Sequence, residues 1–229
     1  MRYFLALQVA LLLSTSAIAV EQNVNPAINK RLVDPDYQVW VQRFEREGRE
    51  VFDQQDAILN AVDIKPGMDI ADIGAGTGLF TRLFAPATGP EGIVYAVDPA
   101  RNFIDEITRQ AKDAGMANVV GVVNSQKDTG LEPNSIDIAF VCATYHHFEY
   151  PLSMLRSIHK ALRPGGALIV IDFRKVKDIS SKWVMSHTRA KEQIVIREIE
   201  SVGFRLTEDR DFLRSNYYLR FVATAGDSD

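Results

Sequence analysis

The chain is expected to fold as an α/β domain around a mostly parallel sheet. Short apolar runs alternate with amphipathic segments of helical period across residues 68–173, a pattern that places strands between helical layers with right-handed crossovers. The first run, Ala71-Asp72-Ile73, passes into Gly74-Ala75-Gly76-Thr77-Gly78. Glycine there lets the main chain bend sharply and lie close to a ligand. The run Val94-Tyr95-Ala96-Val97 ends in an acid, Asp98, suited to accept hydrogen bonds from the two hydroxyls of a ribose.

Residues 21–34 are polar and read as a loose arm. Asp34-Pro35-Asp36 suits a helix start, with Asp34 as the cap and Pro35 in the first turn. Residues 37–47 then carry Val39, Trp40 and Phe44 at helical spacing. Gly48 interrupts, and residues 49–62 predict one further helix with Val51, Phe52, Ile58, Leu59 and Val62 on a single face. Lys65-Pro66-Gly67 is a turn. Strands are expected at 68–73, 93–97, 119–123, 136–142 and 167–173, and helices at 78–87, 100–114, 151–162 and 190–202. In the second of these helices Phe103, Ile104, Ile107 and Ala111 recur at core spacing. Residues 204–207 and 217–222 suggest a closing antiparallel pair.

The glycine turn and its neighbours select the ligand. A nicotinamide dinucleotide site reads G-x-G-x-x-G, with a helix N-terminus against the pyrophosphate. This chain has the tighter G-x-G-x-G, with Asp72 two residues ahead of it. A carboxylate beside the turn repels a pyrophosphate and suits an ammonium or sulfonium group. S-adenosylmethionine carries both, together with a ribose for Asp98. Gly74, Ala75, Gly76 and Gly78 are then expected along the methionine part, Asp72 near the ammonium, and Pro99 with Ala100 as a wall for adenine. The competing reading of Asp98 is a cap on the helix that follows.

At these residues the chain resembles the class I S-adenosylmethionine-dependent methyltransferases, within the small-molecule branch of the methyltransferase type 11 domains. The segments Ser135-Ile136-Asp137-Ile138-Ala139-Phe140-Val141-Cys142 and Ala161-Leu162-Arg163-Pro164-Gly165-Gly166 match the family's fourth strand and the turn before its fifth. The resemblance covers residues 61–173, with a tail to 224. It implies a Rossmann-like fold: a mostly parallel seven-stranded sheet, an antiparallel last strand and helices on both faces. It also implies that a polar residue after strand three reads the adenine edge. The matching stretch is Asn124-Ser125-Gln126, and Asn124 stands where many members have an acid. Its amide carbonyl remains able to accept from the adenine amino group.

Candidate chemistry lies after strand four, in Thr144-Tyr145-His146-His147-Phe148-Glu149. His146 or His147 is expected as an orienting group or base, with Tyr145 as a wall. The alternative is a loop whose histidines are hydrogen-bonding spacers. A metal is not expected on the pair, because adjacent side chains point apart and no acid cluster completes a shell. Asp172, Arg174 and His187 are placed at the rim. Residues 45–55, with Arg49 and Glu50, form either a lid or a solvated helix face.

The chain has 229 residues and a formal charge of −4, enough for one domain with a real core and without the basic field of a nucleic-acid binder. Cys142 is the sole cysteine, which excludes an intrachain disulfide and a cysteine-based zinc site. Arg2, the apolar run 3–13 and the small residues 14–19 have the shape of a signal peptide cut after Ala19, and the run is short for a membrane span. The expected organisation is a signal peptide at 1–19, an arm with helices and a possible lid at 20–62, and a methyltransferase domain at 63–226. The expected protein is periplasmic or secreted, a monomer or homodimer, acting on a small molecule. Export carries a difficulty, since the cofactor is made in the cytosol. A non-catalytic module binding an adenosyl metabolite on the same fold is the competing function, and a nicotinamide oxidoreductase is the third.

Overall fold

The computed structural model describes residues 21–178 and 180–224. The expected signal peptide and its cleavage point therefore lie outside the described residues. Asp36, rather than Asp34, caps the first helix, α1 (Tyr37–Phe44), by accepting from the Val39 N–H. Pro35 sits before the cap instead of in the first turn. The helix expected over 49–62 is two pieces, α2 (Glu50–Asp53) and α3 (Gln55–Val62), divided at Gln54.

The alternating core follows as β1 (Ile70–Ile73), α4 (Leu79–Thr88), β2 (Val94–Asp98), α5 (Arg101–Asp113), β3 (Val119–Val123), β4 (Ile136–Cys142), α6 (Pro151–Ala161) and β5 (Leu162–Phe173). A 3-10 turn, Tyr145–His147, joins β4 to the segment before α6. Strand β5 starts five residues earlier than expected, because Leu162 pairs with Ile136 across a register shift. Helix α7 (Lys182–His187) had no counterpart in the periodicity; its start is set by the Ser181 hydroxyl accepting from the Val184 N–H. Helix α8 (Glu192–Glu200), β6 (Phe204–Arg210) and β7 (Asn216–Ala223) complete the chain.

The seven strands form one sheet in the order β3-β2-β1-β4-β5-β7-β6. β7 pairs antiparallel with both β5 and β6, while β1 to β5 pair parallel. This is the Rossmann-like arrangement with an antiparallel strand inserted near one edge. One core layer, with Leu155, Ile158, Leu168, Val195 and Phe221, lies against α6 and α8. The other holds Ile58, Val62, Phe80, Phe84 and Phe140 beneath α3 and α4. Central strands are buried on both faces, which is why they read as near-continuous apolar runs. The order reverses between β1 and β4, and the crevice beyond the carboxyl ends there is the expected ligand position.

Candidate functional site

A cavity of about 300 Å³ opens at that crevice, at the lower end of the range for small-ligand sites. Its floor is the turn after β1. The Gly74 and Ala75 N–H groups donate to the Val97 carbonyl at 2.7 and 3.1 Å. Gly74 has φ +73°, and a Cβ there would stand 2.2 Å from Thr144 Cγ2. The turn and the segment after β4 thus meet at a distance only glycine permits. Gly78 has a different place from that expected. It does not line the cavity, and a Cβ on it would meet Ile107 Cγ1 at 2.7 Å. Its role is to let α4 pack on α5.

Asp98 joins the two motifs read from the sequence. Its Oδ2 accepts from the Gly76 N–H at 3.0 Å and its Oδ1 from the Ala100 N–H at 2.9 Å. The second bond is the local turn of the capping reading, although α5 itself has no side-chain cap. Burial raises the Asp98 carboxyl to about 6 against the opposing pull of both N–H groups. Asp72, beneath the turn, accepts from the Thr81 hydroxyl at 2.7 Å. Burial raises it to about 6 as well, with the Asp98 charge adding to the shift.

Asp72, Gly74, Ala75, Gly76, Asp98, Pro99, Asn124, Ser125 and Gln126 all border the cavity. The Asn124 Nδ2 donates to the Ser125 and Asp128 carbonyls, leaving a buried Oδ1 without a partner. A buried acceptor in that condition is costly unless a ligand supplies the donor. Among the described residues it is a natural partner for an exocyclic amino group. With the close-approach turn and the buried acid at the end of β2, it makes the residues present fit S-adenosylmethionine.

The segment after β4 departs from expectation. Tyr145 is buried away from the cavity and donates to Glu198 Oε2 at 2.8 Å, beside the Arg189–Glu198 ion pair. It is a core residue instead of a wall. His146 is buried, with Nδ1 at 2.8 Å from Asp172 Oδ1, and its own N–H donates to Asp172 Oδ2 at 2.9 Å. Asp172 is held below the usual carboxylate range: burial pushes it up, but His146 and the N–H donors outweigh that. His147 alone of the pair lines the cavity. Burial and the neighbouring histidines depress it to about 3, so it is neutral at physiological pH. The two rings do not diverge; the 3-10 turn brings their centroids to 4.3 Å, with His187 within 5.4 Å of both.

The polar arm is bound. Glu21 accepts from the Leu152 and Ser153 N–H groups at the start of α6. Asn29 donates to the His147 carbonyl at 3.1 Å, and its Oδ1 meets His147 Nδ1 at 2.9 Å. Asn29, Leu32 and Val33 cover the cavity together with Phe44 and Arg49. Arg49 donates to the Phe44 carbonyl at 2.7 Å and lies over the Phe44 ring. Glu50 points away, accepting from the Arg214, Ser215 and Asn216 N–H groups. Nothing in the composition of 21–34 marks Asn29, Leu32 and Val33; only the tertiary path of the arm does. Burial pushes the Cys142 thiol far up, so it is an inert cavity wall.

The crevice, the glycine turn and the acid ending β2 lie on a fold shared with solved S-adenosylmethionine-dependent methyltransferases. Residues 71–170 match the family described as Methyltransferase domain. The chain is 31% identical over 113 residues to the ubiquinone/menaquinone biosynthesis C-methyltransferase UbiE of Ectopseudomonas mendocina, covering 49% of this chain and 44% of that protein. It is 30% identical over 164 residues to the protein of the same name in Shewanella baltica, covering 66% and 64%. The chain thus spans about half to two-thirds of the length of these relatives. A crystal structure of a SAM dependent methyltransferase from Aquifex aeolicus superposes with a TM-score of 0.73 at 22% identity, over 82% of this chain and 99% of that one.

Proposed function

We propose that this protein transfers a methyl group from S-adenosylmethionine to a small-molecule acceptor. The observation that carries the reading is Asp98: a buried carboxylate, bonded to the Gly76 N–H, in the same cavity as the unpartnered Asn124 Oδ1. When bound, the cofactor supplies an electrophilic methyl on a sulfonium. Asp98 accepts from the ribose hydroxyls, Asn124 accepts from the adenine amino group, and Pro99 and Phe103 flank the base. Asp72 faces the ammonium, and Arg49 offers its cation to the methionine carboxylate.

The cavity is covered by the arm, which favours a small acceptor over a macromolecule. Neutral His147 accepts a hydrogen bond and orients the acceptor rather than storing a proton. Rate then comes mainly from alignment and exclusion of water. The named relatives are C-methyltransferases, so carbon is one accepting atom to test. We also propose export, on the strength of the leader-like residues 1–19, with a mature protein beginning at Val20. N-terminal sequencing of protein from fractionated cells tests this.

The non-catalytic alternative draws support from the weakness of the base on the cavity: burial depresses His147 to about 3, and His146 does not line the cavity. Calorimetry with S-adenosylmethionine, followed by a labelled-methyl screen of small-molecule extracts, decides. Uptake with transfer supports the enzyme, uptake without transfer to any component supports the module, and no uptake removes both.

A further inference from the structure

Three of the chain's four histidines, His146, His147 and His187, converge beside the cavity. One ring nitrogen of each lies within 4.8 Å of those of the other two. Two belong to the 3-10 turn after β4, and the third ends α7, forty residues on. We propose that these three imidazoles form a binding site for a divalent transition metal of the zinc type, opening onto the cavity through His147.

The surroundings of the rings favour a metal over a simple aromatic stack. His146 Nδ1 is held by the Asp172 carboxylate and His147 Nδ1 by the Asn29 Oδ1. Both acceptors fix the Nδ1–H tautomer and leave Nε2 with a free lone pair. That is the outer-shell arrangement that orients metal-bound histidines, with a carboxylate on one of them. Stacking alone needs neither a carboxylate behind a ring nor three ring nitrogens within 4.8 Å of one another. His187 is held in place by Trp183, stacked at 4.3 Å and 22°, and Phe173 closes the side of His146 at 5.3 Å.

Zinc–nitrogen distances near 2.1 Å put two imidazole nitrogens about 3.4 Å apart on a tetrahedral ion. The widest pair must therefore close by about 1.4 Å on binding. His187, half-buried at the end of a six-residue helix that carries its stacking partner Trp183 with it, is the member that shifts. Three imidazoles suit zinc, cobalt, nickel or copper and reject magnesium and calcium, which prefer oxygen. His147 borders the cavity, so an oxygen or sulfur donor of an acceptor bound there would complete the shell.

The test uses tag-free full chain without S-adenosylmethionine, so that it is independent of methyl transfer. Co2+ is titrated and followed by visible absorption, then displaced with Zn2+. The expected result is one equivalent bound, displaced by zinc and unaffected by excess Mg2+. His187→Ala and His147→Gln are each expected to lower affinity by about 100-fold or more, and Asp172→Asn by about 10- to 100-fold. His159→Gln, whose ring instead bonds the Gly203 carbonyl, is expected to bind as the parent. Circular dichroism of each metal-free variant establishes that it is folded. Absence of stoichiometric Co2+ binding overturns the proposal, and so does a folded His187→Ala that binds as tightly as the parent.

Discussion

The Gly76 N–H donates to Asp98 Oδ2 at 3.0 Å, tying the turn after β1 to the acid that ends β2. Sequence separates the two by 22 residues, and parallel pairing of Ile73 with Val97 brings them together. One carboxylate thereby sets the turn's position and borders the cavity. Asp98→Asn keeps the side-chain shape, removes the charge and leaves one of the Gly76 and Ala100 N–H groups facing an amide NH2 in place of an acceptor. Hydrogen bonds to a charged group contribute about 1.5–3 kcal/mol, so S-adenosylmethionine affinity should fall about 10- to 100-fold by calorimetry. Affinity unchanged in a folded variant removes Asp98 from the site.

The same carboxylate makes binding pH-dependent. Burial raises Asp98 and Asp72 to about 6. A raised acid in the folded state contributes stability that is fully present below the unfolded value near 3.9 and lost as pH rises through about 6. Ligand binding has the opposite sense, because the ionised carboxylate is the better acceptor for ribose hydroxyls. Affinity for S-adenosylmethionine should rise between pH 5 and pH 7, with a midpoint near 6. Asp98→Asn should remove the part of that rise due to Asp98 and leave the part due to Asp72. An affinity constant across this interval in the parent contradicts the assignment.

Gly74 meets Thr144 closely enough to give a second prediction about the turn. Gly74→Ala adds a methyl 2.2 Å from Thr144 Cγ2 on a backbone with φ +73°. Left-handed geometry costs about 1–2 kcal/mol and overpacking about 1–3 kcal/mol. The melting temperature should drop by roughly 5–15 °C, at about 2–4 °C per kcal/mol for a domain of this size. Thr144→Gly in the same chain should recover part of the loss, because it removes the clash and leaves the backbone strain. Equal melting of the single and double variants places the whole cost in φ.

Tyr145 and His147 separate structural from functional roles within one short turn. Tyr145→Phe removes the hydroxyl that donates to Glu198, while Arg189 still pairs that carboxylate. A loss of about 1 kcal/mol of stability is expected, with turnover within about twofold of the parent. His147→Ala opens the cavity wall and should lower turnover at least tenfold with a smaller effect on melting. Reversal of that order returns Tyr145 to the catalytic group.

The sheet was legible because parallel strands are short apolar runs bounded by turns: buried Ile136–Cys142 and the partly exposed edge strand Val119–Val123 both fall where the pattern puts them. The floor of the cavity was legible for the same reason: Asp72, Gly74, Gly76, Asp98 and Asn124 stand at strand ends, whose order the topology dictates. Its cover was not. It depends on an arm whose polar residues carry no period, and on a 3-10 turn that defeats the rule of diverging neighbours at His146 and His147. His187 comes from a short helix set by the Ser181 cap, a signal too local to show which ring it approaches. Tyr145 looked like a wall because it adjoins the histidines, yet its partner is Glu198, 53 residues on.

The arm gives the last prediction. Asn29 spans four groups at once: its amide donates to the His147 carbonyl, Glu149 Oε1 and, at 3.4 Å, Gln126 Oε1, and its Oδ1 meets His147 Nδ1. Leu32 and Val33 follow it over the cavity, while Glu21 anchors the arm's start on the first N–H groups of α6, where a carboxylate also meets a favourable helix dipole. Asn29→Ala cuts the middle attachment and leaves the two ends. Hydrogen exchange over residues 24–33 should accelerate by about tenfold, matching the loss of one or two net hydrogen bonds. Exchange in β1 and β4 should be unaltered, since they are held by the sheet. S-adenosylmethionine should dissociate about three- to tenfold faster if the arm shields it, and association should change less because the floor of the cavity is intact. Faster exchange with unaltered dissociation assigns the arm to the acceptor alone. Unaltered exchange shows that Glu21, with the Asn23 amide and the Val24 N–H that both donate to Glu149, suffices to hold the arm.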